Sequence, residues 1–222
     1  MNGCNNIFTL NPINFLGLMT VNNINWFRPG QMSPVERQSI ALTNRLKMGA
    51  FDLQPMGGVT VKFRISSGLP ANDQPINAYW CPYEAGGGLP GFVDFPRNGP
   101  LYPFVFTAAM NGCAFVVTTS PAGGGSLRLY HHQHPGDANA APGGTPQRIW
   151  NAINNQGQAI LSVFMFEDYG AATPAHTEPN AFNFLYHDGH HWYYVSQPQT
   201  ANMGTSLCAR IPGAVIRQLV LP

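Results

Sequence analysis

FVFTAAMNGCAFVVTTSPAGGGSLRLYHHQH, residues 104–134, is the stretch whose reading decides the fold. AFVVTT (114–119) and SLRLYHHQH (126–134), rich in β-branched and aromatic residues, read as strands. Pro121 to Gly125 between them reads as a turn. YPFVFTAA (102–109) is a further strand, separated from the hairpin by Met110-Asn111-Gly112-Cys113. The local prediction is therefore an antiparallel pair with a third strand leading into it.

Strand patterns continue in both directions. Upstream, Val59, Val61, Phe63 and Ile65 alternate with Thr60, Lys62, Arg64 and Ser66, and INAYWCPY (76–83) reads as another strand. Downstream, GQAILSVFMFED (157–168), a hairpin over 182–196 around Asp188-Gly189, and AVIRQLVL (214–221) complete about eight strands. Two helices are predicted. One begins at Ser33-Pro34-Val35-Glu36, where a capping serine, a proline in the first turn and a capping-box glutamate coincide, and should stop near Gly49. The other begins at Thr145-Pro146 and should end at Gly157. Residues 1–32 are Asn-rich, show no clear period and read as irregular. The repeated tetrapeptide MNGC, at 1–4 and 110–113, has nothing similar around it and is taken as chance. The expected fold is α+β: a mixed β-sandwich core flanked by two or more helices, one domain over residues 1–222.

Composition narrows the function classes. Charged residues make up only 9% of 222 positions and the net charge is +1, without a basic block, which argues against non-specific nucleic-acid binding. No apolar run approaches the roughly 18 residues of a membrane helix, so no membrane span is expected. The first fifteen residues lack the charged and apolar regions of a secretory signal. Only Lys47 and Lys62 are lysines among 11 positive residues. That bias fits simple drift towards arginine, or work inside a foreign eukaryotic cytosol, where lysine accepts ubiquitin.

There is no GxGxxG after a strand and no Walker loop, so no nucleotide cofactor is expected. Four cysteines (Cys4, Cys81, Cys113, Cys208) are far apart, without a C-x-x-C pair. Zinc knuckles are therefore excluded, while one disulfide or one special cysteine stays open. Six of seven histidines fall in two clusters: His131, His132 and His134, and His187, His190 and His191. Imidazoles suit zinc, copper or iron, but the pattern does not favour a metal site. His131 points away from the face shared by His132 and His134, and Asp188 is the only acidic neighbour.

Parity draws attention instead to Cys113. It has the parity of Phe115 and Val117, and His131 that of Leu127 and Leu129, so both should face the core side of the hairpin. A hairpin folding near residue 122 or 123 sets residues near 113 opposite residues near 132, and a slip of one makes His131 the partner of Cys113. An imidazolium there would lower a thiol pKa from about 8.5 and stabilise the nucleophilic thiolate.

The segment Phe106-Thr107, Met110-Asn111-Gly112-Cys113, the Gly-rich turn, Tyr130-His131 and Pro135 resembles the active-site region of the Burkholderia lethal factor family of glutamine deamidases. That family shares its catalytic arrangement with the cytotoxic necrotizing factors. The likeness extends over about residues 33–170, through Trp80-Cys81-Pro82 and Ile149-Trp150. It implies Cys113 as nucleophile, His131 as base and proton shuttle, and Thr107 as the group orienting the imidazole from the neighbouring strand. Gly112, Asn111 and Met110 would support the site, with backbone N–H groups near Gly112 and Cys113 holding an oxyanion. Two positions depart from the family pattern: Met110 replaces a leucine and Asn111 a serine. The longer turn leaves His132 as a substitute for His131. The resemblance implies no metal and no cofactor. The partner would be a glutamine-bearing host protein, and the chain a secreted or released bacterial effector acting in the host cytosol.

Two other readings stand beside it. FLYHDGHHWYYV (184–195) resembles the histidine strand of papain-like hydrolases, in which His191 would serve Cys113 or Cys4. Alternatively the chain is a non-catalytic β-rich binding module presenting Trp26, Trp192, Tyr193 and Tyr194 to a partner.

Overall fold

The computed structural model describes residues 3–24, 32–66, 74–84, 88–133, 145–170, 177–202, 204–212 and 215–221. Its N-terminal segment corrects the irregular reading of residues 1–32. Helices α1 (Cys4–Leu10) and α2 (Pro12–Leu18) meet at Asn11, whose side chain accepts the Asn14 N–H at 3.1 Å while Pro12 opens the second helix. Seven-residue helices do not hold in water by propensity. These two persist because Phe8, Phe15 and Leu16 are buried. Each is too short to display a helical period, which is why the sequence shows none. Strand β1 (Thr20–Asn22) follows.

Helix α3 (Pro34–Leu46) begins as expected. Ser33 Oγ accepts the Glu36 N–H at 3.2 Å, and the Glu36 carboxylate accepts the Ser33 N–H at 2.9 Å. It ends on Lys47 in the left-handed conformation (φ 58°), not at Gly49, which already lies in strand β2 (Met48–Gly57). The next strands are β3 (Thr60–Ile65), β4 (Ile76–Cys81), β5 (Phe92–Pro96), β6 (Phe104–Thr107), β7 (Ala114–Thr119) and β8 (Ser126–His132). After them come α4 (Thr145–Asn154), β9 (Ile160–Phe164) and α5 (Phe166–Tyr169). Residues 157–168 are therefore not one strand. The Asp168 carboxylate accepts the Met165 N–H at 2.7 Å and turns the chain into a short helix. Strands β10 (Glu178–His187), β11 (Trp192–Asn202), β12 (Leu207–Arg210) and β13 (Ile216–Leu219) complete the chain.

Nine strands form a mixed sheet in the order β1-β3-β2-β4-β6-β10-β11-β12, with β13 also on β11. It curls until β1 approaches β11. Gln197 Oε1 accepts the Val21 N–H at 2.9 Å and Gln199 Nε2 donates to the Val21 carbonyl at 2.7 Å, so side chains satisfy the strand edge where no ladder closes it. Phe8, Phe51, Phe63, Trp80, Phe104, Phe106, Phe182 and Phe184 fill one side of this sheet. A second sheet, β5-β8-β7-β9, packs on its other side through Val93, Phe95, Phe115, Leu127 and Leu129 against Tyr79, Val105, Leu185 and Tyr194. Helix α4 covers the far face of the small sheet, placing Ile149 and Ile153 on Val116 and Tyr130. The fold is α+β. Strands β1, β2, β5 and β12 were not anticipated from the sequence. Short strands and an Asp-Pro-Gly-containing one carry too little alternation to stand out.

Candidate active site

The candidate site lies where the two sheets meet. Gly112 leads into β7 with φ of 72°, in the left-handed region that glycine enters without strain. Cys113 follows immediately. The β7–β8 ladder pairs Ala114 with His132 and Phe115 with His131, so Cys113 continues it as a diagonal neighbour of His131 rather than its direct partner. Diagonal neighbours sit roughly 7–8 Å apart at Cα, within reach of an imidazole. Both residues share the inward face. Cys113 is 4% exposed within the inter-sheet cluster that holds Phe115 and Leu129, and His131 is 0% exposed.

His131 is held from several directions. Its backbone N–H donates to the Gly91 carbonyl at 3.0 Å. A side chain at Gly91 would collide with the Pro82 carbonyl, so only glycine lets these segments approach so closely. The ring lies edge-on to Tyr83 (centroids 5.2 Å) and to Phe115 (6.3 Å). Nδ1 is 2.6 Å from Thr107 Oγ1. Thr107 belongs to β6 of the large sheet, so the orienting group reaches His131 from the opposing sheet and not from a neighbouring strand.

That contact fixes the tautomer. Thr107 Oγ1 also lies 2.8 Å from the Cys81 carbonyl, which only accepts, so the single hydroxyl proton goes there. Nδ1 must then carry a proton and donate it to Thr107. The lone pair is left on Nε2, which is buried without a hydrogen-bond partner. An imidazole prepared in this way can take a proton from a nearby thiol.

Burial pushes the His131 pKa down to about 3, with the neighbouring His132 charge acting in the same direction. The resting site is thus a neutral imidazole beside Cys113, and the expectation that an imidazolium lowers the thiol pKa is corrected. Desolvation in the inter-sheet core disfavours the charged ring. The same shift sets a pH dependence of stability. Between pH 6.5, where the unfolded histidine takes its proton, and about pH 3, where the folded one does, only the unfolded chain binds it. Stability should fall by about 1.4 kcal/mol per pH unit from this residue as pH drops through that window. His187, also lowered chiefly by burial, acts in the same sense. Urea titrations from pH 7 to 4 should show the slope, shallower in His131→Gln; equal slopes would contradict it.

Two tyrosines that the sequence did not single out complete the surroundings. Tyr169 Oη, from α5 and 56 positions further along the chain, donates to the Cys113 carbonyl at 2.6 Å. Burial first, and then a charge on Cys113, push the Tyr169 hydroxyl up, and the same two causes act on Tyr83. No local pattern announces either tyrosine, because α5 and the loop after β4 meet Cys113 only in the folded chain.

The other expected residues separate clearly. Met110 is buried and bridges to Ala181 of β10, with its sulfur 3.3 Å from Asn183 Nδ2. The Asn111 carbonyl accepts the Cys113 thiol at 3.9 Å. His132 faces the other side of the small sheet, 4.6 Å from the Trp150 ring, so it is not placed to replace His131. His191 is exposed at the β10–β11 tip and shares a cavity with Gly125. Gly125 adjoins the Ser126 end of β8, five residues from His131, or roughly 17 Å along a strand. His191 is therefore not brought beside Cys113. Cys4 opens α1.

Trp192 and Tyr194 are buried, and Tyr193 lies under the Arg217 guanidinium at 3.7 Å, which corrects the expectation that these aromatics are exposed. The hairpin belongs to the large sheet, so Trp192 and Tyr194 face the small sheet while Tyr193 packs against the phenylalanine cluster on the other side. Trp26 and His134 lie outside the described residues. None of the four cysteines, all among the described residues, forms a disulfide. Among the described residues no three His, Cys, Asp or Glu side chains group to hold a metal ion, and no helix is long and apolar enough to cross a membrane.

Residues 5–138 match the family model of the Mcf1 activator-binding domain, a span running from α1 through β8. This chain belongs to the Mcf1 activator-binding domain family. No curated protein matches it significantly. Thr107, Cys113 and His131 all fall within the activator-binding-domain span, whereas Tyr169 lies beyond it.

Proposed function

We propose that this chain is a cysteine-dependent protein-glutamine deamidase that acts as a toxin or effector on a host protein. The observation that carries the reading is the Thr107–His131 contact of 2.6 Å, which leaves a buried, unpartnered Nε2 on the face that Cys113 shares. In the proposed reaction His131 Nε2 takes the Cys113 thiol proton as sulfur attacks the glutamine side-chain carbonyl carbon. Backbone N–H groups of Gly112 and Cys113 hold the oxyanion, a contribution of about 3–4 kcal/mol in comparable sites. The intermediate collapses with breakage of the C–N bond, and His131 returns its proton to the departing ammonia. Water, deprotonated by His131, then attacks the thioester. The thiolate leaves and is reprotonated, so the sum is glutamine plus water giving glutamate plus ammonia.

A neutral base suits this sequence, because proton transfer accompanies attack and no charge is stored in the apolar core between turnovers. The product gains a carboxylate where the target had a neutral amide. Mass spectrometry of a eukaryotic lysate treated with the protein should find a target glutamine heavier by about one dalton through the acyl-enzyme route. Treated and untreated lysates without any such difference would sink the deamidase reading.

The family match favours a second reading. By its description, this family's domain binds an activator, so the chain would recognise a protein partner without turning it over. The two readings part at Cys113: a recognition module keeps its cellular effect after Cys113→Ser.

A further inference from the structure

A cavity of about 290 Å³ opens next to the thiol site, lined by Met32, Arg37, Ile40, Ala41, Asn44 and Trp80, with Tyr83 and Ala108 closing it. Tyr83 is a wall of this cavity and at the same time lies 5.2 Å from the His131 ring, 42% exposed. Ala108 directly follows Thr107 in the chain. The cavity therefore shares Tyr83 with the thiol site, and its wall residue Ala108 adjoins Thr107 in the chain. We infer that this cavity is the specificity subsite for the proposed deamidation and takes a branched aliphatic side chain from the residue beside the target glutamine.

The lining chooses the occupant. Met32, Ile40, Ala41, Trp80 and Ala108 offer an apolar surface, so a hydrocarbon side chain gains by leaving water there and a charged one loses its hydration. The volume suits one side chain rather than a folded element. Trp80 cannot swing aside, because its indole N–H donates to Asn44 Oδ1 at 2.7 Å. Arg37 donates to the Met32 carbonyl at 2.8 Å, which sets its guanidinium at the wall and adds repulsion against a lysine. Helix α3 supplies Arg37, Ile40, Ala41 and Asn44 from one face, the i, i+3, i+4 and i+7 positions of a single helical stripe. An otherwise solvent-facing helix wall is thus committed to the rim of the thiol site.

The inference rests on the deamidase reading, and its test separates the two. Short glutamine peptides with Leu, Gly or Lys beside the glutamine are titrated calorimetrically into the Cys113→Ser protein, which binds without turnover. The Leu peptide should bind about tenfold tighter than the Gly peptide, as expected for filling an apolar pocket, with the Lys peptide weakest. Ala41→Phe, on the cavity-facing stripe of α3, should fill the pocket and erase the Leu preference. Ile40→Ala should shift the preference towards Phe. Equal affinities for the three peptides, or an unchanged preference in both variants, would overturn the subsite. The wild-type protein with the same peptides reports the chemistry separately. A Leu preference in binding with no mass gain in any peptide would reject deamidation and uphold the pocket as a peptide site.

Discussion

Cys113→Ser should abolish deamidation, by roughly 10⁴-fold or more as for loss of other activated nucleophiles, while the protein still folds. Serine oxygen is smaller than sulfur and far less ionised at neutral pH, and His131 at a pKa of about 3 is a poor base for a hydroxyl. The cost to the fold is small. Cys113 sits at the edge of the inter-sheet cluster, just before β7, and its backbone carbonyl still accepts the Tyr169 hydroxyl. The measurements are ammonia release from a glutamine peptide, iodoacetamide labelling of the thiol, and a thermal melt. A folded Cys113→Ser protein with wild-type turnover would remove Cys113 from the mechanism and leave partner recognition as the function.

Thr107→Val should have the second largest effect, a loss of about 10²–10⁴ in turnover. Valine fills the space but neither donates to the Cys81 carbonyl nor accepts from His131 Nδ1, so both groups lose a partner in a buried setting. Each orphaned polar group costs about 1–3 kcal/mol, and the ring is free to adopt the other tautomer, with its proton on the nitrogen needed as base. Stability therefore drops together with activity. Thr107→Ser separates the two effects. It restores the hydroxyl and should recover most of the turnover, and the inactive state of Thr107→Val should not be relieved by lowering the temperature to regain fold. If Thr107→Val proved as active as wild type, His131 would be oriented by something other than Thr107, and the tautomer argument would fall.

Much of this arrangement was legible before folding. The alternation in β7 and β8 put Cys113 and His131 on the inward face and His132 on the outward one, because a period of two leaves a strand residue no third choice. The register was not legible. Turn residues 121–125 allow several pairings, and the one that makes Cys113 diagonal to His131 is the one in which Phe115 pairs with Phe164 and stacks on Tyr194, contacts between distant strands. The helices before residue 20 were missed for a related reason: their stability comes from Phe8 and Phe15 meeting the large sheet, a contact local sequence does not display.

What the sequence determined by itself is the α+β class, the capped start of α3, the hairpin carrying Cys113 and His131, and the face each of them takes. These follow from propensity, punctuation and the two-residue period, which act over a few neighbours. Tertiary structure alone decided that Thr107 reaches His131 from the opposing sheet, that Tyr169 holds the Cys113 carbonyl, and that the imidazole rests neutral. Those outcomes depend on which distant strands face each other and on how much water is excluded between them. Such exclusion belongs to the assembled core and to no single segment of the chain.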